Sequence, residues 1–157
     1  MNAQPINTQQ VQERFFEALI SGDRPRARQV VESVLESGWN AQDLITELYW
    51  PTYENLGRMH RADQLTTLAH HMATRLLRML VDQNASRLAS YPRNGRTILC
   101  CCGASDADEL GAQMAVDLLE SHGFSVTFAG GGVANDEVLA QVQERKPSVL
   151  LMFASAP

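Results

Sequence analysis

Hydrophobic residues in the first half of the chain recur every three or four positions. This spacing is typical of amphipathic α-helices that bury one face. It predicts four helices, at about residues 8–21, 24–38, 40–56 and 65–89. Asp23 with Pro25 is a typical helix start, as is Asn40 with Asp43, and Pro51 is expected to kink or restart the third helix. Because the connections are short, the helices are expected to form a small antiparallel bundle.

Beyond residue 96, continuous apolar runs alternate with helical spacing. The apolar runs at 97–102 and 148–153 predict buried strands, and residues 124–128 are also strand-like. The stretches at 108–122 and 135–146 predict helices, the second capped by Asn135. This order is typical of a parallel α/β unit. Residues 91–96 are rich in turn formers and are expected to be a linker.

The predicted fold class is therefore α plus α/β, with a helical bundle at residues 8–90 and an α/β domain at 97–157. A doubly wound domain normally has five or more strands, whereas the pattern here predicts three. We therefore expect the chain to hold the first half of such a domain and to be a truncated product of a longer gene.

Composition and charge argue against two classes of function, nucleic-acid binding and membrane insertion. The 157 residues include 13 Lys and Arg against 18 Asp and Glu, and 45% are hydrophobic. After Gly95, three basic residues stand against eight acidic ones, so direct nucleic-acid binding is not expected. No apolar run reaches the roughly 18 residues of a spanning helix, and the polar N-terminus does not resemble a signal sequence. We therefore expect a cytoplasmic protein without membrane contact.

Two groups of residues suggest cofactor binding but have simpler explanations. Cys100, Cys101 and Cys102 are adjacent on one predicted strand, where alternate side chains point to opposite faces. Three thiolates there cannot converge on one metal, so buried hydrophobic roles are favoured. Trp50, with the tyrosines on either side of it, could line a macrocycle, but its helical spacing favours a place in the core or at an interface.

The loop after the first strand carries a polar cluster at the edge of the sheet where ligands bind in α/β folds. It contains Ser105, Asp106, Asp108, Glu109 and Gly111. It has neither a dinucleotide fingerprint nor the lysine of a P-loop, and its acids would repel an anion. Two interpretations stay open: Ser105 or Asp106 caps the following helix, or the loop takes part in ligand binding.

A helical bundle, a short linker and an α/β domain with D-x-D-E-x-G after its first strand resemble the cobalamin-binding module of methionine synthase, corrinoid methyl-transfer proteins and light-sensing cobalamin-dependent repressors. The resemblance covers residues 8–157 and implies a flavodoxin-like or Rossmann-like α/β domain. In that family the loop reads D-x-H-x-x-G, and its His is the lower axial ligand of cobalt. Asp106 and Gly111 match this motif, but Asp108 stands in place of the His. The resemblance thus implies a corrinoid bound without that ligand, or no corrinoid.

Further family positions can be matched. Ser155 falls where the family has a Ser that contacts the nucleotide tail of the cofactor. Light-sensing members cover the upper face of the cofactor with a Trp and, ten and eleven residues later, a Glu-His pair. The matching residues here are Met59, Ala69 and His70, so the resemblance makes His70 a candidate upper cobalt ligand and Met59 an apolar lid.

Helical geometry alone leaves another interpretation of His70 open. His70 lies beside the predicted buried stripe of its helix, where a partly buried structural histidine is common. His60 is expected in an exposed loop before that helix. A His60/His70 pair lacks a spacing that defines a zinc or haem site.

The sequence has no evident nucleophile–base pair, so the resemblance favours a binding or sensing module over an enzyme. The first hypothesis is a regulatory protein that holds a corrinoid or related tetrapyrrole between its helical cap and its α/β domain. The second is a corrinoid carrier in methyl transfer, and the third is an interaction domain that has lost the cofactor. The expected protein partner is a second copy of the chain or a regulatory protein, because a half-covered sheet tends to associate.

Overall fold

Two structural units follow one another along the chain in the computed structural model, which describes residues 7–155. The first unit, Met1–Arg87, is helical, and the second, Leu88–Pro157, contains a three-stranded parallel sheet. The predicted fold class is confirmed. Among the described residues, no helix is long and apolar enough to cross a membrane.

The helical unit contains α1 (Thr8–Ile20), α2 (Arg24–Glu36), α3 (Ala41–Asp43), a π-helical segment (Leu44–Tyr49), α4 (Trp50–Arg61) and α5 (Thr67–Ala85). Side chains of Asn7, Asp23, Asn40 and Thr66 accept backbone N–H groups at the helix starts. Asn40 and Asp43, the predicted helix start, form a capping box. The predicted fourth helix was too long at both ends, because Thr66 caps its start and its last helical residue is Ala85.

The π-helical segment explains how the third helix continues past Pro51. Proline has no N–H, so the Glu47 carbonyl loses its usual α-helical donor. The side-chain amide of Gln12 donates to this carbonyl instead, at 2.7 Å, and thereby ties α1 to the third helix. In the π-helical segment, backbone N–H groups bond to carbonyls five residues earlier, as Trp50 N does to Ile45 O. The segment continues directly into α4. Pro51 thus stands at the restart of a continuous helix.

All the long helices contribute to the core of the helical unit. Phe15 stacks on Tyr49 with 5.7 Å between ring centroids, and both side chains are buried. Tyr49 therefore belongs to the core, while Trp50 and Tyr53 form a half-buried ring pair beside it. Other fully buried side chains come from five segments: Leu19, Val30, Val34, Leu44, Leu48, Leu56 and Leu77. Their burial supplies the main hydrophobic stabilisation of this unit.

The α/β unit consists of β1 (Thr97–Cys102), α6 (Asp106–Ser121), β2 (Ser125–Gly131), α7 (Asn135–Arg145) and β3 (Val149–Phe153). The strand order is β2-β1-β3, and both pairings are parallel. The carboxyl ends of all three strands therefore meet at one edge of the sheet. The loops after β1 and β3 are thus brought together, although they are far apart in sequence.

The two faces of β1 contact different helices. Leu99 and Cys101 cluster with Val138 of α7, whereas Cys100 clusters with Ala112 and Val116 of α6. Adjacent cysteines thus face opposite sides of the sheet, as the strand geometry predicts. Burial raises the pKa of the Cys100 thiol to about 11, so this residue stays a neutral thiol at physiological pH. Across residues 7–155, no group of three or more His, Cys, Asp or Glu side chains could hold a metal ion.

Two local features of the α/β unit differ from the sequence pattern. Asn135 does not cap α7: it is the first helical residue, and Ala134 occupies the cap position without a side-chain hydrogen bond. The predicted linker at 91–96 has no regular secondary structure but is hydrogen-bonded to its own unit. Tyr91 N donates to Ser121 O and Asn94 N donates to Gly123 O.

Candidate functional site

A carboxylate lies at the centre of the carboxyl edge of the sheet. Asp108 is in the first turn of α6, and Ser105 caps this helix by accepting the backbone N–H of Asp108 at 3.0 Å. The Ser105 hydroxyl also donates to Asp108 Oδ2 at 2.8 Å. On the other side, the backbone N–H and the hydroxyl of Ser155, after β3, donate to Asp108 Oδ1 at 2.8 and 2.5 Å. We call Ser105, Asp108 and Ser155 the carboxylate clasp.

The clasp stabilises the ionised form of Asp108. Partial burial raises the pKa of this carboxyl, but hydrogen bonds from Ser155 and Ser105 lower it by more, so the net pKa is below the ordinary value of 3.8. Both carboxylate oxygens accept hydrogen bonds from the protein. Asp108 is therefore an anion at neutral pH, and its oxygens are directed at the chain's own donors.

Two glycines allow the backbone to approach the clasp closely. A Cβ added at Gly103 would collide with the Asp108 carboxylate, and one added at Gly131 would collide with the carbonyl oxygen of Gly103. Glu109 Oε1 accepts the backbone N–H of Gly131 at 3.2 Å and links α6 to the end of β2. Gly103, Glu109 and Gly131 thus complete the site. Of these three, the sequence analysis weighed only Glu109, as a helix-start acid, although glycines at the ends of two parallel strands were an available signal.

The remaining loop residues of the predicted site have other surroundings. Asp106 is exposed in the first turn of α6, and Gly111 is buried inside the same helix. Asp106, Asp108 and Glu109 make the first turn of α6 acidic. Negative charges at this end of a helix interact favourably with the helix dipole. The structure therefore brings together Ser105, Asp108 and Ser155. Neither Asp106 nor Gly111 belongs to the clasp.

In the helical unit, two histidines form a ring stack. His60 is in the last turn of α4 and His70 is at the end of the first turn of α5, with ring centroids 4.1 Å apart and planes inclined by 13°. The expectation of an exposed loop position for His60 was wrong, because α4 extends to Arg61 and the ring is half-buried. Met59, next to His60, is also half-buried, whereas His71 is exposed.

The surroundings of His70 favour its neutral form. Partial burial lowers the pKa of His70, and the neighbouring charges of His60 and His71 lower it further. A neutral imidazole is the form that coordinates transition metals. Stacking occupies the ring faces and leaves the nitrogens at the ring edge.

Comparison with known proteins gives one family and several relatives. Residues 11–83 match the family model described as B12 binding domain. The methanol–corrinoid protein of Methanosarcina barkeri (strain Fusaro / DSM 804) is 22% identical over 133 residues, which cover 85% of this chain and 52% of that protein. The chain thus spans about half the length of this curated relative.

Two solved structures share the fold. The monomethylamine corrinoid protein of Methanosarcina barkeri gives a TM-score of 0.63 at 17% identity, over 92% of this chain and 69% of that one. The methanol:cobalamin methyltransferase complex MtaBC from Methanosarcina barkeri gives 0.53 at 20% identity, over 94% of this chain and 57% of that one. At these identities the likeness concerns the fold.

Proposed function

Because the chain belongs to the cobalamin-binding module family through its B12-binding domain at residues 11–83, we propose that it is a corrinoid carrier in methyl transfer. The match of the helical unit to this family carries the proposal. The named relatives support the carrier role over the sensory one, since their names describe methanol and monomethylamine corrinoid proteins and a methyltransferase complex. A sensory or regulatory role remains the second candidate.

The carboxylate clasp makes Asp108 unsuited to serve as the lower axial ligand of cobalt. In the family that the sequence resembles, a His stands at the position of Asp108. Here the Asp108 carboxylate already accepts three hydrogen bonds, from Ser105 and Ser155. A carboxylate engaged in this way would have to give up these donors before it could bind a metal. We therefore assign Asp108 a structural role.

The helical unit offers the better protein donor. We assign His70 as the residue that coordinates cobalt when a corrinoid is bound, with Met59 as an apolar neighbour of the cofactor. The lowered pKa of His70 supports this role, because its imidazole stays neutral to a lower pH than an ordinary histidine. The bound corrinoid would supply the cobalt, and the neutral imidazole of His70 would supply the protein nitrogen that coordinates it.

Titration of the chain with hydroxocobalamin tests this assignment. We expect the visible spectrum of the bound corrinoid to change in the His70→Ala variant and to stay as in the parent chain in the His71→Ala variant. His71 is the matched control because it is the adjacent histidine and is exposed. Identical spectra for the parent chain and His70→Ala would exclude His70 as a ligand. If the parent chain binds no cobalamin, the cofactor-free interaction domain replaces both corrinoid functions.

The sheet supports a proposal about the protein partner. In β3, Leu150 and Met152 pair with Leu99 and Cys101 of β1, so they share the sheet face that α7 covers only in part. Their side chains are 40% and 68% exposed. An edge strand with exposed apolar residues favours association, and we expect a dimer or larger species. Sedimentation velocity measures this, and a single species of monomer mass at high concentration would rule it out.

A further inference from the structure

A surface turn at the start of the α/β unit carries an Asn-Gly pair. Asn94 and Gly95 lie just before β1, are both exposed and belong to no helix or strand. Gly95 has a φ of 76°, in the left-handed region that glycine adopts without strain. Because glycine has no Cβ, its backbone nitrogen is open to approach from the side chain before it. Neither residue is among those assigned to corrinoid binding.

The Asn94 side chain is turned towards the backbone that follows it. Its Oδ1 accepts the backbone N–H of Arg96 at 2.9 Å. Since a backbone N–H only donates, the atom that faces it is the oxygen, and Nδ2 is the other end of the amide. Within residues 7–155, the N–H of Gly95 donates to no acceptor. The side-chain carbonyl of Asn94 and an unbonded backbone nitrogen are thus neighbours.

We propose that Asn94 is a site of spontaneous deamidation. The nitrogen of Gly95 loses its proton to solvent base, attacks Cγ of Asn94 and closes a five-membered succinimide ring. Negative charge develops on Oδ1, the atom that already accepts the N–H of Arg96, so this donor stabilises the tetrahedral intermediate. The Cγ–Nδ2 bond then breaks, and Nδ2 takes a proton from solvent and leaves as ammonia.

Water opens the succinimide in two ways, and the two products differ in their backbone. Addition at Cγ breaks the new bond to Gly95 and gives an aspartate with the normal backbone. Addition at the main-chain carbonyl carbon breaks the original peptide bond and gives an isoaspartate, whose link to Gly95 runs through the former side chain. The isoaspartate backbone is longer by one methylene. Both products add a negative charge to the surface of the α/β unit.

The longer backbone does not fit the contacts around this turn. Asn94 N donates to Gly123 O at 3.0 Å. Two residues later, the carbonyl of Arg96 accepts Ser125 N at 3.0 Å. These bonds lead into the β1–β2 ladder, which begins at the pair of Thr97 and Ser125. A methylene added between the two bonds changes their spacing, so isoaspartate loosens the start of the ladder.

Incubation of the full chain at pH 8, followed by mass spectrometry of chymotryptic peptides, measures the conversion. We expect Asn94 to gain the mass difference between an amide and a carboxyl group at least tenfold faster than Asn40. Asn40 is the matched control, because it is exposed and its Oδ1 likewise accepts the N–H two residues later, from Gln42 at 2.8 Å. It is followed by a buried alanine instead of an exposed glycine. Equal rates at the two asparagines would overturn the proposal, and so would an unchanged Asn94.

Hydrogen exchange of the Ser125 amide tests the effect on the sheet. Ion exchange separates the deamidated chain by its added charge, and the Asn94→Asp variant supplies the reference spectrum of the form with the normal backbone. We expect Ser125 N–H to exchange at least tenfold faster in the isoaspartate form than in the parent chain, and at the parent rate in Asn94→Asp. Parent-like exchange in the isoaspartate form, or equally fast exchange in Asn94→Asp, would contradict the role of backbone length. Neither measurement uses a corrinoid, so both are independent of the proposed function.

Discussion

Replacing Asp108 by Ala is expected to lower the free energy of unfolding of the α/β unit by about 1–3 kcal/mol. The substitution removes the acceptor of three hydrogen bonds: one from Ser105 at the start of α6, and two that join α6 to Ser155 after β3. Ser155 then loses its side-chain partner, and the residue after the edge strand β3 is no longer bonded to α6. Urea unfolding followed by near-ultraviolet circular dichroism measures the change.

Asp106→Ala is the matched control for this variant. Asp106 is an exposed acid in the same helical turn but does not belong to the clasp. We expect its loss to change stability by no more than about 0.5 kcal/mol. Equal effects of the two substitutions would mean that helix-dipole charge, and not the clasp, accounts for the role of Asp108.

The clasp also predicts a dependence on pH. Since the pKa of Asp108 is lowered in the folded protein, its contribution to stability is fully present above the ordinary value of 3.8. The contribution is lost as the pH falls through the lowered pKa. The difference in stability between the parent chain and Asp108→Ala is therefore expected to be constant near neutral pH and to shrink in acid. A difference that grows as the pH falls would contradict an ionised clasp.

A fragment of residues 1–87 is expected to fold cooperatively without the rest of the chain. Its core is closed by fully buried side chains from every long helix, and Gln12 and Asn84 add polar ties within the same unit. A fragment of residues 88–157 is expected to unfold at a lower temperature, because its β3 strand leaves Val149, Leu150 and Met152 between 40% and 68% exposed. Thermal melts by far-ultraviolet circular dichroism compare both fragments with the full chain.

The decisive observation is the helical content of the first fragment. A cooperative melt close to the helical transition of the full chain would support independent folding. A fragment that lacks helical signal at low temperature would show that the helical unit depends on residues after Arg87. Higher stability of the second fragment than of the first would contradict our comparison of the two cores.

Local patterns were sufficient to predict most of the architecture. Helical spacing, the Asn40 capping box and the apolar run at Thr97–Cys102 each depend on residues that are close in sequence, so they could be recognised without the fold. The Ser105 cap of α6 belongs to the same class. The opposite faces of adjacent cysteines likewise follow from the two-residue repeat of a strand.

Contacts between distant residues could not be predicted in this way. Asp108 and Ser155 are 47 positions apart and meet only because parallel strands end at one edge of the sheet. The Gln12 bond to the Glu47 carbonyl depends on how α1 packs against a helix interrupted by proline. The His60–His70 stack depends on the turn between α4 and α5. Sequence patterns predicted the elements because their causes are local, whereas the partner of each polar side chain was decided when the elements packed together.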